Sequence, residues 1–225
     1  GMNVAIRNAN DGISMAQVAD GTAAQISDNL QRMRELAVQA SNGSYASGDR
    51  ANLDTEFAAL SAEITRVAQG AKFNNISLSD STATTTISFQ IGAGTASFNQ
   101  ITLTRADMTS MSTGLNLADT TGAAITVGGT SASNAQFAIQ QLDLAIDEVT
   151  TTRAGYGAFL NRANAAVSNL QNSVMNQSAA RGRITDTDFA TETANLSRSQ
   201  ILQQAGTAML AQANAMPNNV LSLLK

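Results

Sequence analysis

Between Ile139 and Val174 apolar residues recur at alternating steps of three and four: Ile139, Leu142, Ile146, Val149, Tyr156, Leu160, Ala163, Val167, Leu170 and Val174, with Arg153 alone breaking the row. That spacing gathers the side chains into one narrow stripe along a helix. At ~1.5 Å per residue the stretch is a rod on the order of 50 Å long, and a helix cannot bury its own stripe. The chain must supply other long helices. Leu142, Ile146, Val149, Tyr156, Leu160, Val167, Leu170 and Val174 are the expected intramolecular seam.

A partner stands at the start of the chain. From Met2 to about Ser41, Ala5, Ala9, Gly12, Ala16, Ala19, Ala23, Ile26, Leu30, Met33, Ala37 and Ala40 make a second seam, lined first by small residues and then by larger ones. Gly12 and Gly21 each cost about 1 kcal/mol against alanine inside a helix, so this helix is expected to be firm from about Thr22 onward. Ser41-Asn42-Gly43-Ser44 ends it. Asp49 is placed to cap a shorter helix over about 49–70, with Leu53, Phe57, Leu60, Ile64 and Val67 on its seam and Gly70 at its end. A short helix beside two long ones leaves part of the seam uncovered. Ile87, Phe89 and Ile91 alternate with polar residues, as do Ile101 and Leu103 after Gly92-Ala93-Gly94, so a β-hairpin region over about 76–105 is expected there.

Residues 105–132 lack a sustained period and are rich in Thr, Ser and Gly, which predicts a variable surface segment with a short strand at Ala124–Val127. The organising helix is expected over about 133–178, interrupted at Arg181-Gly182-Arg183 and restarted by Asp186-Thr187-Asp188. Beyond it Leu202, Ala205, Met209, Ala213, Met216, Val220 and Leu223 form a thin apolar seam, broken by Pro217, with no partner in the sequence. The fold class is mainly α: an elongated, coiled-coil-like helical bundle with a small β-hairpin region over 1–180 and a separate carboxyl-terminal helical segment over 181–225.

Composition narrows the chemistry. Aromatic residues make up 4% of the chain and Trp is absent, which suits closely packed helices better than a compact enzyme. Without Cys or His the chain lacks thiol chemistry, the commonest metal ligand and the usual general base near neutral pH, so no enzyme activity and no cofactor are expected. A net charge of −4 disfavours nucleic acid and anionic membrane as partners. No apolar run approaches the roughly 18–20 residues of a membrane span, and Gly1-Met2-Asn3-Val4 does not begin a Sec-type signal. Asp186, Asp188 and Glu192 read as a solvated helix face rather than a metal site.

Three stretches then carry a resemblance. Ile6-Arg7-Asn8-Ala9-Asn10-Asp11-Gly12-Ile13-Ser14, Leu30-Gln31-Arg32-Met33-Arg34-Glu35-Leu36-Ala37-Val38-Gln39, and Ile201-Leu202-Gln203-Gln204-Ala205-Gly206-Thr207 with Val220-Leu221-Ser222-Leu223-Leu224-Lys225, in that order, resemble bacterial flagellin. The resemblance implies a structural subunit of the motility filament, a homopolymer assembled through terminal helices. It further implies unfolded export through the flagellar type III channel and an extracellular location. In flagellins the first motif follows roughly fifty residues whose helix pairs with the carboxyl-terminal one, and here that pairing helix is missing, so this stretch of chain is not expected to polymerise alone. The family also implies a dedicated export chaperone on the carboxyl-terminal seam, holding it as separate helical pieces. Arg32, Leu36, Gln39 and Glu56 fall at positions that in flagellins form the patch recognised by the animal receptor Toll-like receptor 5. A hook–filament junction protein is the alternative, and a surface carbohydrate-binding module a more distant one.

Overall fold

The computed structural model describes residues 1–80, 86–92, 94–109, 117 and 124–222, without the side chains at 187, 188 and 215–222. Helices α1 (Met2–Ala40) and α2 (Ser47–Gly70) are followed by a hairpin of β1 (Lys72–Phe73) and β2 (Ile76–Ser77). A second hairpin, β3 (Thr86–Gln90) and β4 (Gln100–Thr104), precedes helix α3 (Ser133–Ser222). Contacts divide the chain into two units, Gly1–Gln171 and Asn172–Lys225.

In the first unit every residue of the expected α1 seam is buried, joined by Met15, Ser27 and Leu36. The helix runs unbroken from Met2 rather than firming at Thr22. Packing against neighbours outweighs the small cost of two glycines, and at Gly12 the absence of a side chain lets two rings come close, since a Cβ there would stand 3.1 Å from the Phe89 ring and 3.2 Å from that of Phe159. Those two rings pack tilted with centroids 5.7 Å apart, which seats the β3–β4 hairpin on α1 and α3. Asn8 Nδ2 donates to Gln90 O at 3.1 Å and fixes the same edge.

Three contacts fix α3 antiparallel to α1: Gly12 with Phe159, Asp20 with Arg153, and Arg34 with Asp143. The α3 seam itself is displaced by one residue on one side of its stripe. Leu142, Val149, Tyr156 and Ala163 are buried as expected, but their alternating partners are Ala138, Ala145 and Phe159 rather than Ile139, Ile146 and Leu160, which are half-buried flanks. The displacement explains the gap in the row. The stripe passes through half-buried Thr152, so Arg153 lies beside it, where its Nε donates to Asp20 Oδ1 at 2.9 Å instead of reaching out to solvent alone. Val167 and Leu170 are half-buried beyond the end of the core cluster, and Val174 falls in the second unit.

Helix α2 begins at Ser47, and Asp49 acts from its third position: its carboxylate accepts from Ala46 N at 3.1 Å, while Ala46 offers no side-chain oxygen in return. Arg50, 5% exposed, donates from Nε to Ala40 O at 2.9 Å and so ties the first turn of α2 to the last carbonyls of α1. The β1–β2 hairpin turns on Asn74 and Asn75 with φ of 47° and 64°, the left-handed pair that a two-residue hairpin loop requires.

The segment 105–132 is more than a surface connection, because Met108, Leu117, Ile125 and Val127 enter the core. No strand forms over Ala124–Val127; an isolated bridge at Ala124 stands there, with Ile125 N donating to Leu117 O at 3.2 Å. Asp54 of α2 holds the segment down. Its Oδ1 accepts from Val127 N at 2.8 Å and from Gly128 N at 3.2 Å.

The expected interruption at Arg181-Gly182-Arg183 does not occur, nor do the separate pieces expected at Gly206 and Pro217, since α3 is helical through to Ser222. Arginine is a good helix former and a single glycine costs about 1 kcal/mol, too little to stop a helix.

Candidate functional site

Two surfaces were marked by the sequence. On the first, α1 and α2 lie side by side and Arg32 reaches between two acids. Its Nε and Nη2 donate to Glu56 Oε1 at 3.0 and 2.8 Å, and its Nη1 to Glu35 Oε2 at 2.9 Å. The Glu56 hydrogen bond, then that of Glu35, hold the guanidinium more firmly protonated than an ordinary arginine. The three side chains are about half exposed or more. Gln39 Nε2 donates to the Tyr45 hydroxyl at 3.0 Å. Leu36 does not join this face: it is 1% exposed and belongs to the core under it, because one turn of α1 carries both seam and surface positions. The surface patch is therefore Arg32, Gln39 and Glu56, with Glu35 as a member the sequence reading missed although it stands at helical spacing from Arg32.

The second surface is in Asn172–Lys225. Leu202, Ala205, Met209 and Ala213 are all exposed, Leu202 at 64% and Met209 at 71%. Met216 and Val220 lie on helical backbone with side chains outside the described residues, and Leu223 lies wholly outside them. Further large apolar groups join them, Phe189 at 72% and Leu196 and Leu210 among them. The sequence reading missed these because it followed one stripe. At about 100° per residue, Phe189, Leu196 and Leu210 gather on one side of the helix, and Leu202, Ala205 and Met209 gather roughly 140° away. Both faces are apolar and both are open.

Such a helix cannot stand by itself in water: apolar on two sides, it behaves like a helix taken from the interior of a bundle. One partner helix covers one stripe, so two separate stripes require neighbours on two sides. Asp186 is exposed between them, and Glu192 is exposed at the edge of the first. Among the described residues no group of three His, Cys, Asp or Glu is placed to hold a metal ion, and no helix is long and apolar enough to cross a membrane.

Residues 1–84 match the family model of the bacterial flagellin N-terminal helical region, and residues 139–224 that of the bacterial flagellin C-terminal helical region. A flagellin of Halalkalibacterium halodurans is 40% identical over 225 residues, covering 100% of this chain and 79% of that protein. The crystal structure of Bacillus cereus flagellin superposes with a TM-score of 0.60 at 32% identity, covering 78% of this chain and 94% of that one. A flagellar hook-associated protein of Vibrio parahaemolyticus superposes at 0.62 with 12% identity, over 81% of this chain and 90% of that one, which shows a shared fold alone.

Proposed function

We propose, from the premise that this chain belongs to the bacterial flagellin family and is a structural subunit of the flagellar filament, that it is built into the filament by packing both apolar faces of residues 172–222 against helices of neighbouring subunits. The family is one of structural proteins that polymerise with copies of themselves, and the filament they form is extracellular. The observation that supports this mode of entry is the pair of separate, open stripes, Phe189, Leu196 and Leu210 in one and Leu202 and Met209 in the other. The experiment is Leu202→Asp and, separately, Leu196→Asp in the full-length protein expressed as sole filament protein. Each buries a carboxylate in an apolar contact, so each is expected to abolish filaments seen by electron microscopy while secreted monomer persists. Normal filaments from either variant would overturn the two-sided packing.

Two partners implied by the resemblance stand as finer parts of the proposal. An export chaperone holding the tail before unfolded passage through the type III channel would present an apolar groove to Leu202, Ala205, Met209 and Ala213, with methionine as an adaptable anchor. Titration of that chaperone against the full-length Met209→Asp variant tests it, and unchanged affinity would count against the groove. For Toll-like receptor 5, Arg32→Asp leaves three acids facing one another where the guanidinium joined two, which is expected to shift the dose response of a receptor reporter at least about tenfold. Leu36 contributes by supporting α1 from beneath rather than by touching the receptor.

A further inference from the structure

The side chain of Phe98 is 82% exposed, more than any other large apolar group described in the chain. It sits in the 3-10 turn Ser97–Asn99 between β3 and β4, and the hairpin around it is tightly pinned. Gln90 Nε2 donates to Gly92 O at 2.8 Å and to Gly94 O at 2.7 Å. Gln100 Nε2 donates to Gln90 Oε1 at 3.1 Å, and Ile91 N donates to Asn99 O at 2.7 Å. A phenyl ring held out in water by this many hydrogen bonds has already lost the freedom that binding would otherwise cost. Pre-organised aromatic groups of this kind are interface anchors.

The same unit carries a cleft of about 400 Å³ between β4 and the middle of α3, walled by Thr104, Thr151, Gly155, Ala158, Phe159 and Arg162. Its lining mixes threonine hydroxyls and methyl groups with the Phe159 ring and the Arg162 guanidinium, so a phenyl group entering it would find an aromatic and a cationic partner in one cleft. Phe98 of the same chain does not fill it.

We propose that in the filament Phe98 seats in this cleft of an adjacent copy of the chain. The inference rests on the filament reading, which makes other copies the subunit's neighbours, and it concerns only the first unit. Knob and cleft are formed by different residues, so one copy can offer its knob to the next and its cleft to the one before, the head-to-tail arrangement that a growing polymer uses.

The test places the photocrosslinker p-benzoylphenylalanine at Phe98 in full-length protein, assembled as filaments and, in parallel, held as monomer. Mass spectrometry of mixed light and heavy subunits is expected to find light-to-heavy adducts on residues 151–162 in filaments and none in monomer. Filaments that form normally but crosslink elsewhere would overturn the proposal and leave the assembly reading standing, whereas failure of the unsubstituted protein to assemble would overturn that reading instead. Phe98→Ala supplies a second readout. It is expected to raise the critical concentration for assembly at least about tenfold with monomer melting unchanged. An unchanged critical concentration would refute the contact even if the photocrosslinker disturbed assembly.

Discussion

Removing the carboxylate of Asp54 should loosen one segment of the first unit by a calculable amount. Asp54 Oδ1 receives three donors from the segment that leads into α3: the Thr126 hydroxyl, Val127 N at 2.8 Å and Gly128 N at 3.2 Å. In Asp54→Ala the exposed Thr126 hydroxyl turns to water at little cost. Gly128 N keeps the Thr126 oxygen it already shares at 3.1 Å. Val127 N has no such alternative, because its residue is 0% exposed and a bond to an ionised acceptor is lost. A hydrogen bond to a charged group contributes ~1.5–3 kcal/mol, so Asp54→Ala is expected to destabilise by about 2 kcal/mol. Asp54→Asn keeps an acceptor oxygen without the charge and should lose about half of that. Urea unfolding of the full chain followed by circular dichroism measures both, and hydrogen exchange at Val127 locates the effect. A loss below ~0.5 kcal/mol for the alanine variant, or equal losses for the two, would refute this account of the clamp.

Tyr156 is 1% exposed and its hydroxyl lies against the Ala106 backbone without completing a hydrogen bond. Burial pushes its pKa above the ordinary 10.0, helped by nearby Asp20 and opposed by the Ala106 backbone and Arg105. The neutral phenol is thus favoured in the fold: its contribution is complete below the unfolded value and is lost as pH rises past it, so Tyr156→Phe should flatten the alkaline fall in melting temperature and cost nothing at neutral pH. Gly12→Ala should be nearly neutral, the helix gain offsetting the tight approach to Phe89, whereas Gly12→Leu should lose about 1–3 kcal/mol in urea unfolding by overpacking. A double-mutant cycle on Asp20 and Arg153, whose side chains are 36% and 42% exposed, should give a coupling below ~1 kcal/mol that shrinks in high salt.

The first helix was legible almost to the residue because its seam is written in one register, and α2 and the β3–β4 hairpin were legible from their periods. The α3 seam was misread on one side for a physical reason: Ile139, Ile146 and Leu160 are larger than their neighbours, but close approach to α1 selects the small Ala138 and Ala145 for the buried row. Arg153 was the signal, since a charge that interrupts a heptad row marks a row drawn one position off. The Asn74-Asn75 pair likewise announced the first hairpin, asparagine being among the few residues that tolerate φ above zero. Helix ends were overcalled at Arg181-Gly182-Arg183, where a local glycine was weighed without the strong helix formers beside it. The second stripe, Phe189, Leu196 and Leu210, escaped because a search for one seam stops when it finds one.

The alanine row has a consequence for temperature. Ala16, Ala19, Ala23, Ala37 and Ala40 of α1 share one buried cluster with Ala135, Ala138, Ala145 and Ala163 of α3. Each contributes one methyl where a leucine would contribute four carbons. The heat-capacity change of unfolding follows the apolar surface exposed, so this unit should fall below the usual ~12–15 cal/mol/K per residue. A smaller heat-capacity change means less curvature in stability against temperature, so the core weakens less on cooling than one built of large side chains.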